Sequence, residues 1–157
     1  MGIEIEKRFL VVNDSWRESV IRSSSIVQGY IYSGSDKLPC LRVRQLDREA
    51  FLTIKAGSGI KRMEFEYSIP FEDSEAMLND LCQDKKLVKS RHWVQNANHT
   101  WVVDCFDGKN RGLVLAEIEL KNVEEAFERP GWVGKDVTSD RRFINSCLAV
   151  NPFKIEP

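Results

Sequence analysis

Apolar and polar residues alternate with a period of two in eight stretches of the chain: 3–12, 26–33, 40–46, 50–56, 61–69, 87–94, 100–106 and 113–120. Successive side chains leave a strand on opposite sides, so this period predicts strands with two chemically different faces. Short reversals separate several of them, at Asp47-Arg48, Gly57-Ser58-Gly59, Asn96-Ala97-Asn98 and from Gly108 to Gly112. Such residues suit hairpin turns. Three segments change to helical spacing. Residues 72–85 carry Ala76, Met77, Leu78, Leu81 and Cys82 along one side, with Asp73 or Ser74 as cap. Residues 123–129 predict a short helix stopped by Pro130-Gly131. Residues 139–150 predict a last helix, capped by Thr138 or Ser139 and ended by Asn151-Pro152, and 13–20 a single further turn. Eight strands, few helices and short links predict a closed barrel or a sandwich. No repeat, low-complexity tract or linker interrupts the 157 residues, which read as one domain.

The polar positions of these strands are filled by charges sorted by sign. Residues i and i+2 share a face, which groups Glu4, Glu6 and Arg8 on the first strand and Arg42 with Arg44 on the third. The same rule groups Thr53 with Lys55, Arg62 with Glu64 and Glu66, Lys89 with Arg91, and Glu117 with Glu119, while Asp104 stands alone. Like charges about 7 Å apart repel by roughly 2 kcal/mol at an effective dielectric near 20. On a single strand such a pair is more often a solvated face than a site. Repeated on strand after strand with the signs segregated, it calls for ligands that reward the repulsion. Carboxylate pairs suit a divalent cation, which takes hard oxygen ligands. Arginine and lysine pairs suit phosphate oxygens. A barrel that turned both sets inward would enclose a polyanion with its metal, its apolar alternates facing outward under helical cladding.

Composition narrows the partners. The net charge is −1, so no overall basic field draws in nucleic acid. No segment approaches the ~20 apolar residues of a membrane span. The opening Met1-Gly2-Ile3-Glu4 lacks the apolar core of a secretory signal. Cys40, Cys82, Cys105 and Cys147 show no CxxC spacing, which argues against a zinc site and for reduced thiols in a cytoplasmic protein. His92 and His99 read as incidental, and Trp16, Trp93, Trp101 and Trp132 as cover for the outer wall. Arg141 and Arg142 are either a gate at the barrel mouth or solvated.

The ordered set of motifs resembles the CYTH superfamily, the triphosphate tunnel metalloenzymes. Glu4-Ile5-Glu6-Lys7-Arg8 is similar to their ExExK signature. Gln28-Gly29-Tyr30, Leu41-Arg42-Val43-Arg44, Thr53-Ile54-Lys55, Arg62-x-Glu64-x-Glu66, Lys89-Ser90-Arg91, Val103-Asp104 and Glu117-Ile118-Glu119 follow in order. Asp136-Val137-Thr138-x-Asp140 and Arg142-Phe143 are similar to the closing helix of short bacterial members. The resemblance covers nearly the whole chain.

It implies a mainly β (α+β) fold: a closed eight-stranded antiparallel barrel with helices packed outside and a C-terminal helix. It further implies Mg2+ or Mn2+ on Glu4, Glu6, Glu117 and Glu119, with Asp104 and Glu66 near a second metal. Arg8, Arg42, Arg44, Lys55, Arg62, Lys89 and Arg91 would hold the phosphates of a small-molecule triphosphate. Glu4 or Glu6 would position the attacking water, and Tyr30 is a candidate proton acceptor if nearby cations lower its phenol. The signature departs at Arg8, where the family carries lysine. The expected activity is metal-dependent hydrolysis of tripolyphosphate. An adenylate cyclase, a thiamine triphosphatase and a non-catalytic polyphosphate-binding module are the rivals. The oligomeric state stays open, a homodimer included.

Overall fold

The computed structural model describes residues 2–154. Its strands are β1 (Gly2–Val11), β2 (Val20–Tyr32), β3 (Cys40–Leu46), β4 (Glu49–Ala56), β5 (Lys61–Ser68), β6 (Lys86–Asn96), β7 (His99–Phe106), β8 (Val114–Glu119) and β9 (Val133–Asp136). Helices α1 (Phe71–Asp80) and α2 (Asn145–Val150) lie between β5 and β6 and after β9. Hydrogen bonding runs β5-β4-β3-β2-β6-β7-β8-β1, and β1 returns to β5, so the sheet closes as an eight-stranded antiparallel barrel and not as a sandwich. Closure depends on β1 serving two neighbours along its length. Its first half pairs with β5, Glu4 opposite Arg62. Its second half pairs with β8, Glu6 opposite Glu119 and Arg8 opposite Glu117. The short β9 pairs with β1 through Phe9 opposite Asp136 and Val11 opposite Val133. That strand was not anticipated, because four residues containing Gly134 carry too little alternation to register.

The barrel wears its core on the outside. Ile5, Phe9, Val94, Trp101, Val103, Ala116 and Ile118 alternate with the inward charges and are buried beneath Trp16 and Trp132. Helix α1 and the turn after it cover the outer wall over β2, β3 and β4, where Leu78 and Cys82 pack on Val43, whereas Met63, Phe65 and Tyr67 on the outer face of β5 stay exposed. The approach there is so close that a Cβ on Gly29 would stand 2.9 Å from Cys82 and from Leu78. Only a residue without a side chain lets α1 sit on β2 at that point. At one end the inward face itself becomes apolar. Tyr30, Leu87, Phe106 and Leu115 cluster there with Leu148 and Ala149 of α2 and with Phe143. The last helix therefore stoppers the barrel at that end and is not external cladding.

Several sequence-based boundaries move. β2 begins at Val20, six residues before the expected start, because the polar run Arg22-Ser23-Ser24-Ser25 pairs along β6 without interruption from Ser23 onward. The expected helix at 123–129 does not form. Asn122 Oδ1 accepts the N–H of Glu124 at 3.0 Å, and the Glu125 carboxylate accepts the N–H of Lys121. These side-chain acceptors compete for the backbone donors a helix needs, and Phe127 packs instead on Phe9 and Trp101. The helix expected at 139–150 is split into a 3-10 turn, Arg141–Phe143, and α2, with Ile144 extended between them (φ −73°, ψ 133°). Asp140, not Thr138 or Ser139, caps the first piece. α1 ends at Asp80, short of the expected Lys85, and Pro70 precedes it in place of an Asp73 or Ser74 cap. The turn within 13–20 is a 3-10 turn at Ser15–Ser19 that delivers Trp16 to the wall.

Candidate active site

Every strand of the barrel sends alternate side chains into a central cavity of about 380 Å3. The two-residue period and the pairing register decide who meets whom. Arg8, Glu117 and Glu119 come from β1 and β8, and Arg42, Thr53 and Glu66 line up across β3, β4 and β5. Glu4, Glu6, Tyr30, Arg44, Lys55, Arg62, Lys89 and Arg91 line the same space. Asp104 shares their inward face but lies beneath Lys89 and Arg91, 1% exposed, and does not border the cavity.

The acids and bases neutralise one another across the bore. Arg8 bridges two strands: Nε donates to Glu117 Oε1 and Nη2 to Glu6 Oε1, both at 3.1 Å. Lys55 Nζ stands 3.0 Å from Glu4 Oε2 and 3.1 Å from Glu64 Oε2, and Arg62 lies 3.8 Å from Glu4. Arg42 donates to Thr53 Oγ1 at 3.1 Å and to Glu66 Oε2 at 3.3 Å, and Thr53 donates to the same carboxylate at 2.9 Å. Arg44 differs. Its Nε donates to the neutral Gln28 Oε1 at 3.0 Å, and among the described residues no carboxylate pairs with it. Burial, then Arg42 and Arg91, push its guanidinium down to about 9. A half-buried cation that borders the cavity without a counter-ion is a seat for an anion.

The carboxylates show the complementary strain. Burial, then the neighbouring Glu117 and Glu4, push Glu6 up to about 8. Burial with Glu4 and Glu64 also raises Glu119, which faces Glu6 directly. Burial opposes the Glu117 carboxylate, yet Arg8 and Arg91 hold it well below the usual range. Glu4 Oε2 is buried and takes no hydrogen bond despite the nearness of Lys55. Among the described residues no three carboxylate, imidazole or thiol groups already form a chelate. The donor set is nonetheless of the right kind for a hard divalent ion: carboxylate oxygens only, crowded together and mutually repelling.

Structure refines the remaining expectations. Alternation holds at the departed signature position: Arg8 faces inward, while Lys7 points out over the Phe127 ring at 5.7 Å. Tyr30 is 2% exposed and its hydroxyl accepts from Gln28 Nε2 at 2.9 Å. Burial raises its phenol, so the lowering that a proton acceptor needs is not met. Trp93 does not cover the outer wall, since it shares parity with Lys89 and Arg91 and borders the cavity. His92 pairs with Ser23 at 2.7 Å and His99 with Glu125 at 2.8 Å, both away from the bore. Arg141 pairs with Asp36 of the β2–β3 loop, and Arg142 with Asp140. Asn145, which no sequence signal singled out, enters the cavity from α2 and accepts from Lys89 Nζ at 2.7 Å. Its position depends on the break at Ile144, which is invisible to a helical-spacing argument.

No family model matches the chain. Two curated relatives do. An inorganic triphosphatase of Acetivibrio thermocellus is 43% identical over 155 residues, covering 98% of this chain and 97% of the relative. The chain belongs to the inorganic triphosphatase family. A second inorganic triphosphatase, from Nitrosomonas europaea, is 31% identical over 94% of this chain and 97% of its own length. A crystal structure of an inorganic triphosphatase superposes with a TM-score of 0.67 at 29% identity, covering 96% of each chain. Membership in a hydrolytic family agrees with a closed bore whose walls are basic on one side and acidic on the other.

Proposed function

We propose that this inorganic triphosphatase-family chain hydrolyses tripolyphosphate to pyrophosphate and orthophosphate inside the barrel, as a CYTH-type tunnel enzyme whose single domain spans residues 1–157. The observation that carries the reading is the sorting of charge within one cavity, with uncompensated Arg44 on the basic side and crowded Glu6 and Glu119 on the acidic side. Arg42, Arg44, Lys55, Lys89 and Arg91 would bind phosphate oxygens, with Arg8 and Arg62 at the boundary between the two sectors. Arginine forks fix the orientation of the chain of phosphates, and the lysines add point charge.

Glu4, Glu6, Glu117 and Glu119 would hold Mg2+ or Mn2+, and Glu66 lies on the side of Arg42, where a second ion would stand. Such an ion would supply charge neutralisation and Lewis acidity at the phosphoryl oxygens. The protein's own residues do the rest. The basic wall stabilises charge that spreads over the transferring phosphoryl group, and the closed barrel limits access of bulk water. A water held by Glu4 or Glu6 attacks the terminal phosphorus in line and its proton passes to that carboxylate, while the phosphoanhydride P–O bond breaks and pyrophosphate leaves with its new negative charge held by the basic wall. Among the described residues, no helix is long and apolar enough to cross a membrane. A cytoplasmic setting, a small-molecule substrate and no nucleic-acid or membrane partner complete the proposal, with the oligomeric state left open, a homodimer included.

The test is direct. Purified protein with Mg2+ or Mn2+ is given tripolyphosphate, ATP or thiamine triphosphate, and orthophosphate, pyrophosphate and cyclic AMP are measured. Orthophosphate from tripolyphosphate is expected. Cyclic AMP with pyrophosphate from ATP would replace this reading by a cyclase, and no product from any substrate would replace it by a binding module.

A further inference from the structure

Asp104 stands out from the other acids of the barrel. It is 1% exposed and set behind the cavity wall. Both its oxygens are already engaged. Oδ2 accepts from Lys89 Nζ at 2.7 Å and from Arg91 Nη2 at 2.9 Å, and Oδ1 accepts from Arg91 Nε at 2.9 Å. Three charge-assisted bonds take most of the acceptor capacity of one carboxylate. A metal would have to displace them, leaving the fully buried Lys89 ammonium without a counter-charge.

We propose that Asp104 is a positioning residue for the phosphate-binding wall and does not ligate metal. The proposal deepens the functional reading above and depends on it for the identity of the bound anion. The geometry explains what the residue does. A bidentate grip on Nε and Nη2 fixes the plane of the Arg91 guanidinium and leaves its other N–H groups for phosphate, while Glu117 lies 3.9 Å away on the acidic side. The same carboxylate and Asn145 Oδ1 bracket Lys89 Nζ, each at 2.7 Å. One buried carboxylate thus sets the direction of two neighbouring cations on β6 from the opposite strand, β7, where Asp104 directly faces Arg91. Side chains that bind a transferring group work only when their own supports lock them.

The experiment compares wild type with Asp104→Asn, Arg91→Ala and the double variant. Mn2+ binding to substrate-free protein is read by electron paramagnetic resonance, and tripolyphosphate hydrolysis by kcat and KM. Positioning predicts Mn2+ affinity within twofold of wild type in Asp104→Asn and a fall in kcat/KM of at least tenfold. The double variant should lose less than the product of the two single losses, since the part of the Asp104 effect that acts through Arg91 is already gone in Arg91→Ala. The Arg91 Nε–H resonance should be protected from solvent exchange in wild type and lose that protection in Asp104→Asn. A tenfold loss of Mn2+ affinity, or multiplicative losses in the double variant, would overturn the proposal. Should Asp104→Asn fail to fold because Lys89 is stranded, Asp104→Asn with Lys89→Met removes both charges, and its Mn2+ affinity decides the question in the same way. Failure of the functional reading would appear separately, as wild type that releases no phosphate, and the resonance and Mn2+ measurements would still report on Asp104.

Discussion

Glu6 on β1 faces Glu119 directly across the ladder to β8, and nothing but the pairing register put them there. Side chains at directly opposed positions lie about 5 Å apart at Cβ, so two carboxylates here repel unless one is protonated or a cation joins them. With Glu6 pushed up to about 8 by burial and its acidic neighbours, the protein without metal keeps a proton on Glu6 at neutral pH. A divalent ion must displace that proton. Titrating Mg2+ into the protein at pH 7 in two buffers of different ionisation enthalpy should therefore show proton release, and metal affinity should rise with pH up to about 8.

The same group makes the metal-free fold sensitive to alkali. The folded-state pKa lies above the unfolded one, so the folded state holds an extra proton between them. Stability from this group is fully present below the ordinary value of 4.5 and is lost as pH rises through about 8. In EDTA the melting temperature should be lower at pH 9 than at pH 6, and Glu6→Gln should flatten that difference. An unchanged difference in Glu6→Gln would assign the pH dependence elsewhere.

Removing charge from the acidic sector without changing its shape should stop catalysis. Glu4→Gln and Glu119→Gln are each expected to abolish metal-dependent phosphate release while leaving the melting temperature within a few degrees. Full activity in either variant would count against the proposed metal site.

Arg8 ties β1 to β8 through Glu117 and also holds Glu6, two residues before it on β1. Arg8→Lys keeps the charge but gives a single nitrogen where the fork reached both Glu6 and Glu117. The expected cost is about 1 kcal/mol in denaturant unfolding, the scale of one hydrogen bond in a buried pair. Activity should survive within about tenfold if phosphate binding at this position uses charge more than geometry.

Gly29 tests the packing that holds the barrel wall. Gly29→Ala places a methyl 2.9 Å from Cys82 Cβ and Sγ and from Leu78 Cδ2, so the side chains between α1 and β2 must shift. Overpacking of this kind costs about 1–3 kcal/mol, readable as a lower urea midpoint with hydrolysis per folded molecule unchanged.

Much of the site was legible because alternation is local. Knowing that Glu4 points inward is enough to know that Glu6 and Arg8 do too, and the same holds for Arg42 with Arg44 and Lys89 with Arg91. What stayed hidden involves partners distant in the chain. Asp104 looked like any other acid on an inward face until the β6–β7 register placed it behind Arg91. Asn145 gave no signal because its place depends on a break at Ile144 and on where the barrel leaves an open end. Trp93 was set by parity, yet its aromatic character suggested the outer wall.

The residue pattern by itself determined which side chains share a face, how many strands the barrel has, and that acids and bases are sorted by strand, since these follow from the two-residue repeat of an extended backbone. Only tertiary structure decided that β1 divides itself between β5 and β8, that β9 continues its edge, that α2 stoppers the bore, and which carboxylate answers which cation. Those outcomes depend on pairings between segments far apart in the chain, such as Glu6 with Glu119 and Phe9 with Asp136, chosen jointly by closure, packing and charge compensation, and no window along the chain contains them.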